Sequence, residues 1–414
     1  MFIPLSSLIL LVATIAIGYF KKTNTGLIGL ASALLFGVLV VGLTGKEIVA
    51  GFPTNVFMTL SGMMLLFAIA RLNGTLDMVA MKIISMAGTN VKLLPIVFFV
   101  LSAILSFIGP GPVVMTAIIV PVAMSVAKQQ KIKDLLMGLS VIFGSLAGGL
   151  YKITSSGYIA YSLGVEAGII NYTPIFLATF CTSLLAFLFF YFLLGGFKLE
   201  KIEIKNEVEQ KKKLTSSQIL TLIVLVATIL LITIAKWDIG LSAYLGAAIL
   251  FVCNIADDGE AIKLVNWSTI LLVCGMGILV NVISEAGGIA LLSDGLSKIM
   301  TEKTATMFMV LIAGLMSSVS SASGVVMPTL IPTIPGIVAN MGGDIDPSVL
   351  LMGIIIGSHI VTASPLSTLG AMTLASSNEY TDKNKMFNQL LIIGFGGMVV
   401  VGILAYLGFY NLFN

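Results

Sequence analysis

The sequence predicts an all-α polytopic membrane protein built from two inverted repeats, each with five spans and a re-entrant hairpin, one span per repeat being unwound mid-membrane. Three observations lead there. Hydrophobic residues make up 58% of the 414 residues and charged ones 10%, against roughly 25% charged in a soluble domain. Apolar runs long enough to span a bilayer recur from end to end. The two halves of the chain resemble one another.

The runs fall at about 3–20, 25–44, 54–71, 92–127, 132–170, 173–196, 215–235, 239–256, 266–285, 304–338, 347–376 and 385–412. The first begins without a basic segment and lacks a small-residue cleavage site, so Phe2 to Phe20 reads as a retained span and not a signal peptide. The only long polar stretch, from Lys198 to Lys213, cannot form a core and divides the chain. The expected organisation is a first repeat over 1–197, a cytoplasmic charged linker over 198–213 and a second repeat over 214–414.

The repeat is visible in ordered matches. Gly62-Met63 maps onto Gly275-Met276, and Gly74 onto Gly287. Val113-Val114-Met115 maps onto Val325-Val326-Met327, and Gly149, Thr154 and Ser156 map onto Gly357, Thr362 and Ser364. The order is kept and the spacing drifts by only a few residues.

Four segments are too long or too broken to be simple spans. Residues 92–127 are interrupted by Gly109-Pro110-Gly111-Pro112, and 304–338 by Ser320, Ser321, Ser323 and Gly324. Proline removes a donor, and glycine and serine loosen the helix. Both segments read as hairpins that enter and leave on the same face. The runs 132–170 and 347–376 break at Tyr151 to Gly157 and at His359 to Pro365, as spans unwound halfway. Five true crossings per half invert the second repeat. Lys21, Lys22, Arg71, Lys82, Lys92, Lys128, Lys131, Lys133 and the linker then share the cytoplasmic side, while Lys46, Lys236 and Lys303 fall outside.

Paired broken segments at matching places point to a transporter site. Each break restarts a helix, so four helix N-termini would converge, an arrangement that favours an anion. The expected lining is Gly109, Pro110, Gly111 and Pro112 at one tip, with Ser320, Ser321, Ser323 and Gly324 at the other. Thr154, Ser155 and Ser156 line one break, and Thr362, Ser364 and Ser367 the other. Taken singly, such hydroxyls often bond only to carbonyls of their own helix. Lys152 lies inside the first break, where a lysine costs roughly 2.5–3.5 kcal/mol to insert. Its ammonium is expected to pair with a substrate carboxylate or to stand in for a coupling cation. The alternatives are snorkelling and a local carbonyl partner. His359, at the edge of the second break, is a candidate proton carrier, or a packing histidine.

Other chemistry finds little support. Cys181, Cys253 and Cys274 lie in apolar runs without paired spacing, and the chain has one histidine, which leaves no disulfide framework or metal site. No cofactor is expected beyond a coupling Na+ or H+. The net charge of +3 gives no reason to expect nucleic acid as a partner. An enzyme is not expected: Asp257-Asp258 with Glu260 is a single acidic cluster, where magnesium-diphosphate chemistry needs several.

The stretches "GYFKKTNTGLIGLASALLFG", "TGKEIVAGFP" and "LLFAIARLNGTLD" resemble the N-terminal region of MatC-type dicarboxylate carriers. The repeat plan is similar to that of the ion transporter superfamily, notably the divalent anion/sodium symporters. That resemblance implies a homodimer in the membrane, with a scaffold and a mobile transport domain working as an elevator. It also implies malonate, malate or succinate as substrates, moved with sodium or protons. The symporters carry Ser-Asn-Thr at both hairpin tips; here the tips read Gly-Pro-Gly-Pro and Ser-Ala-Ser-Gly. The leading expectation is therefore a secondary active transporter, a symporter of small organic anions, in a bacterial inner membrane. The alternative is a cation/proton antiporter of the same superfamily, although neither break contains the buried carboxylate that such exchange wants.

Overall fold

The computed structural model describes residues 2–76, 78–79, 90–199, 214–343 and 345–414. The linker over 200–213 and Lys82 lie outside the described residues. Every element among them is helical. Among the described residues eight stretches are long and apolar enough to cross a membrane, and six shorter apolar helices accompany them. This is an integral, multi-pass membrane protein. In a bilayer each backbone amide must find its partner within the protein, and helices satisfy that requirement internally.

The first half runs α1 (Phe2–Lys21), α2 (Thr25–Phe36, extended by a wider turn Gly37–Val41), the short α3 (Gly45–Ala50) and α4 (Thr54–Leu72). Then come α5 (Leu94–Phe107), α6 (Gly111–Gln130), α7 (Asp134–Gly149), α8 (Ser155–Glu166) and α9 (Thr173–Leu193). The second half follows with α10 (Ser216–Thr233), α11 (Ile239–Val252), α12 (Asp258–Leu264), α13 (Trp267–Glu285), α14 (Gly288–Ile299) and α15 (Ala305–Val319). A return arm holds a wide turn Ala322–Val326, α16 (Met327–Leu330) and α17 (Ile334–Asn340). The chain closes with α18 (Pro347–Ile360), α19 (Thr368–Ala375) and α20 (Lys383–Tyr406).

Polar residues open many of these helices. Asn24, Thr215, Asp238, Asn266, Asp346 and Asp382 each accept a first-turn amide through the side chain. Thr44 with Glu47, and Thr215 with Gln218, form reciprocal capping boxes. Glu47 therefore ionises below the usual carboxylate range, because the Thr44 amide and hydroxyl both donate to it.

Glycines decide which helices cross closely. At Gly26 and Gly275, α2 and α13 meet with no room for a Cβ, and α11 and α4 meet likewise at Gly240 and Gly62. Without a hydrophobic driving force between helices in lipid, such small residues allow the backbone approach that dispersion packing needs. The same device seats α7 on α5, where Gly148 lies against Ala103, and α18 on α15, where Gly357 lies against Val310. Aromatic stacking adds α9 to this layer, with Phe187 4.4 Å from Phe99 and Phe190 5.9 Å from Phe143.

Two groups result. The helices α1, α2, α4, α11 and α13 pack on one another, and α5 to α9 pack with α15 to α20. The groups meet where Gly109 abuts Met63 and Phe67 of α4, and where Gly324 abuts Leu272 of α13.

Candidate functional site

Prolines and glycines set the first interruption. Pro110 and Pro112 cannot donate backbone bonds, and Gly111 at φ +81° occupies the left-handed region that glycine tolerates best. Here α5 ends and α6 begins, with no side chain capping α6. The second interruption spans Ser320 and Ser321. The Ser321 hydroxyl accepts the Gly324 amide at 3.1 Å, and Ser320 bonds back to the Met316 carbonyl. The break between α7 and α8 covers Leu150 to Thr154, and that between α18 and α19 covers Val361 to Ser367.

These four openings surround one cavity of about 50 Å3, above the ~10–15 Å3 that one water needs. Pro112 and Val113 reach it from α6, Ser156 from α8, Ser320 to Ser323 from the second tip, and Ser367 to Leu369 from α19. Leu146, His359 and Thr362 complete the wall. Among the described residues no carboxylate lines it. The start of α19 has no side-chain cap, and Ser367, half-buried at the cap position, lines the cavity with Thr368 and Leu369.

His359 is buried in this wall. Its Nδ1 lies 2.9 Å from the Ile355 carbonyl, which only accepts, so Nδ1 carries the proton. Nε2 is then an acceptor facing the Ser323 hydroxyl at 3.5 Å, the outer limit of a hydrogen bond.

Of the residues picked from sequence, Pro112, Ser156, Ser320, Ser321, Ser323, Thr362, Ser367 and His359 meet at this cavity. The others sit elsewhere. Thr154 is fully buried as the cap of α8, donating to the Gly149 and Tyr151 carbonyls and accepting the Gly157 amide. Ser364 turns its hydroxyl to the Leu366 amide. Gly324 packs on Leu272, and Pro110 lines a separate cleft with Arg71 and Asn266. Gly109, Pro110 and Gly111 form a latch with Ser155. The Ser155 amide donates to the Gly109 carbonyl at 3.1 Å and its hydroxyl to the Pro110 carbonyl at 3.0 Å. Lys152 is half-buried outside the cavity wall, its Nζ 5.9 Å from the centre of the Tyr161 ring.

Sequence reasoning missed Leu146, Val113, Thr368 and Leu369. The last two were within reach, because a helix restarting after Pro365 exposes its first amides. Thr154 caps α8 through its side chain, whereas Ser367 only occupies the cap position of α19, so Thr362 is not the positional counterpart of Thr154. The acidic cluster weighed for enzymatic chemistry is committed elsewhere: Asp257 caps α12 and Glu260 pairs with Lys263 at 2.7 Å. Among the described residues no group of His, Cys, Asp and Glu is set to hold a metal.

No curated protein matches the chain. Residues 1–149 match the family model described as the dicarboxylate carrier protein MatC N-terminus. That region holds α1 to α7 and the first interruption. Over its first third the chain is thus similar to the N-terminal region of MatC-type dicarboxylate carriers.

Proposed function

We propose that the protein is a secondary active transporter of small organic anions, dicarboxylates foremost, which bind in the cavity between the four helix openings. The observation that carries this reading is the wall itself. Hydroxyls, helix openings and the His359 imidazole surround the cavity, and among the described residues no Asp or Glu does. The hydroxyls and helix openings offer donors and positive dipole ends to an anion, and the imidazole adds a donor only once Nε2 is protonated. The same absence of a carboxylate weighs against cation/proton exchange.

The inverted-repeat plan draws support from matched packing: α2 on α13 mirrors α11 on α4, and α5 on α7 mirrors α15 on α18. On this plan α5 with α6, and α15 with α16 and α17, are re-entrant hairpins. The crossings are then α1, α2, α4, α7–α8 and α9 in one half, and α10, α11, α13, α18–α19 and α20 in the other. An elevator movement of the group holding the cavity against the group holding α4 and α13 fits the two sets of helices. The family resemblance implies a homodimer, and a bacterial inner membrane is the location assigned to it in this reading. The coupling ion is sodium or a proton. For sodium, Ser106 is the notable residue: its hydroxyl is buried without a partner, against Gly149 and Pro112, between the first tip and the first break. For a proton, it is His359.

The test is thermal unfolding of the purified protein against malonate, malate and succinate, with sodium or choline and at two pH values. A ligand that binds the folded state raises the melting temperature by mass action. Stabilisation by a dicarboxylate supports the carrier, and its dependence on sodium or pH names the ion. Stabilisation by sodium alone would favour the antiporter.

A further inference from the structure

Asp134 opens α7 at the end remote from the cavity and is 2% exposed. Both of its oxygens are occupied by the loop that follows α19, on the other half of the chain. Oδ2 accepts the Asn378 amide at 2.6 Å and the Thr381 hydroxyl at 2.7 Å. Oδ1 accepts Asn378 Nδ2 at 2.7 Å and the Tyr380 hydroxyl at 3.2 Å. Asn378 Nδ2 also reaches the Met124 carbonyl of α6 at 2.9 Å. Burial and the nearby carboxylate both raise the Tyr380 hydroxyl above its usual range, which keeps it a donor.

A buried carboxylate without four good donors would be costly to keep ionised. Here the donors come from one loop, and the start of α7 adds the favourable end of a helix dipole. The cluster therefore fastens three elements, α6, α7 and α19, whose opposite ends supply Pro112 and Val113, Leu146, and Ser367 to Leu369 to the cavity. Between the two ends, Gly138 of α7 leaves no space for a Cβ beside Thr373, so α19 touches α7 at that point as well as packing on α6. α19 is only about two turns long, too short to hold its own position.

We infer that Asp134 is a positioning residue: its clamp on Asn378, Tyr380 and Thr381 sets where the first amides of α19 stand at the cavity. The inference rests on the cavity being the anion site, but its first readout does not. Hydrogen exchange of the full chain, measured by mass spectrometry on wild type and Asp134→Ala, reads the α19 segment without substrate. The expected result is about tenfold faster exchange over 365–375, with α1 and α2 unchanged. Unchanged exchange over 365–375 overturns it. Should Asp134→Ala fail to fold, Thr381→Val and Tyr380→Phe each remove one donor and leave the carboxylate in place. Faster exchange confined to the same segment is expected of both, and its absence from both overturns the clamp.

Transport supplies the second readout. In Thr381→Val the apparent KM for malonate should rise severalfold with the maximal rate kept. A lowered maximal rate at unchanged KM would overturn the positioning role. Wild type that binds no carboxylate would remove the carrier reading and leave the exchange result to stand.

Discussion

Gly26 and Gly275 touch backbone to backbone, so that a Cβ on either would overlap the other helix's main chain. Gly240 and Gly62 repeat this contact in the other half. These two crossings hold α2 on α13 and α11 on α4, the helices against which both tips rest. They fix the frame to which the cavity is referred.

Gly275→Ala should therefore lower stability by about 1–3 kcal/mol, the cost of overpacking a closed contact. Gly62→Ala should behave alike. Gly295 in α14 has open space at its Cβ, and Gly295→Ala should instead stabilise by up to about 1 kcal/mol. Thermal unfolding in one detergent compares all three. Equal stability of Gly275→Ala and wild type would show that the crossing is not close.

The latch at Ser155 gives a second expectation. Gly111→Ala places a Cβ onto the Ser155 hydroxyl and holds alanine in the left-handed region, a conformation costing about 1–2 kcal/mol by itself. Ser155→Ala only removes a hydroxyl donor from the Pro110 carbonyl, worth about 0.5–1.5 kcal/mol. Denaturation of the two variants should rank Gly111→Ala as clearly the weaker. The reverse order would detach the tip from the break.

Lys152 lies where its sequence position puts it, in the first break, but its side chain is directed to Tyr161. Lys152→Met should cost about 0.5–2 kcal/mol of stability, the value of a cation–π contact. Anion affinity should stay within about threefold of wild type, since Lys152 does not line the cavity and its ammonium adds only field. A loss beyond about tenfold in calorimetric affinity would bring the ammonium into the site.

The breaks were legible in sequence because proline, glycine and serine interrupt apolar runs locally, as at Gly109 to Pro112. The spans were legible for the same reason, through continuous hydropathy. Facing was not. Nothing local says that Gly26 meets Gly275, or that Asp134 meets Asn378, because both pairings are made by the folded whole. The short helices α3, α12 and α14 also escaped, being too short or too polar to register as spans. Nor does a hydroxyl announce its partner: Thr154 and Ser156 read alike, yet one caps α8 and the other lines the cavity.

His359 carries the sharpest expectation for coupling. Its Nδ1–H is held by the Ile355 carbonyl, so an arriving proton has only Nε2, which faces Ser323 in the cavity wall. Protonation there turns an acceptor into a donor and places a positive charge beside the bound anion. Proton coupling through this ring predicts anion uptake that rises as pH falls, and a flattened profile in His359→Gln. Ser323→Ala should keep a pH dependence but move its midpoint, because the hydroxyl facing Nε2 is gone. Uptake assays in proteoliposomes across a pH series read the slope and its midpoint. If His359→Gln keeps the full slope, the proton is carried elsewhere, and sodium beside Ser106 becomes the coupling ion to test.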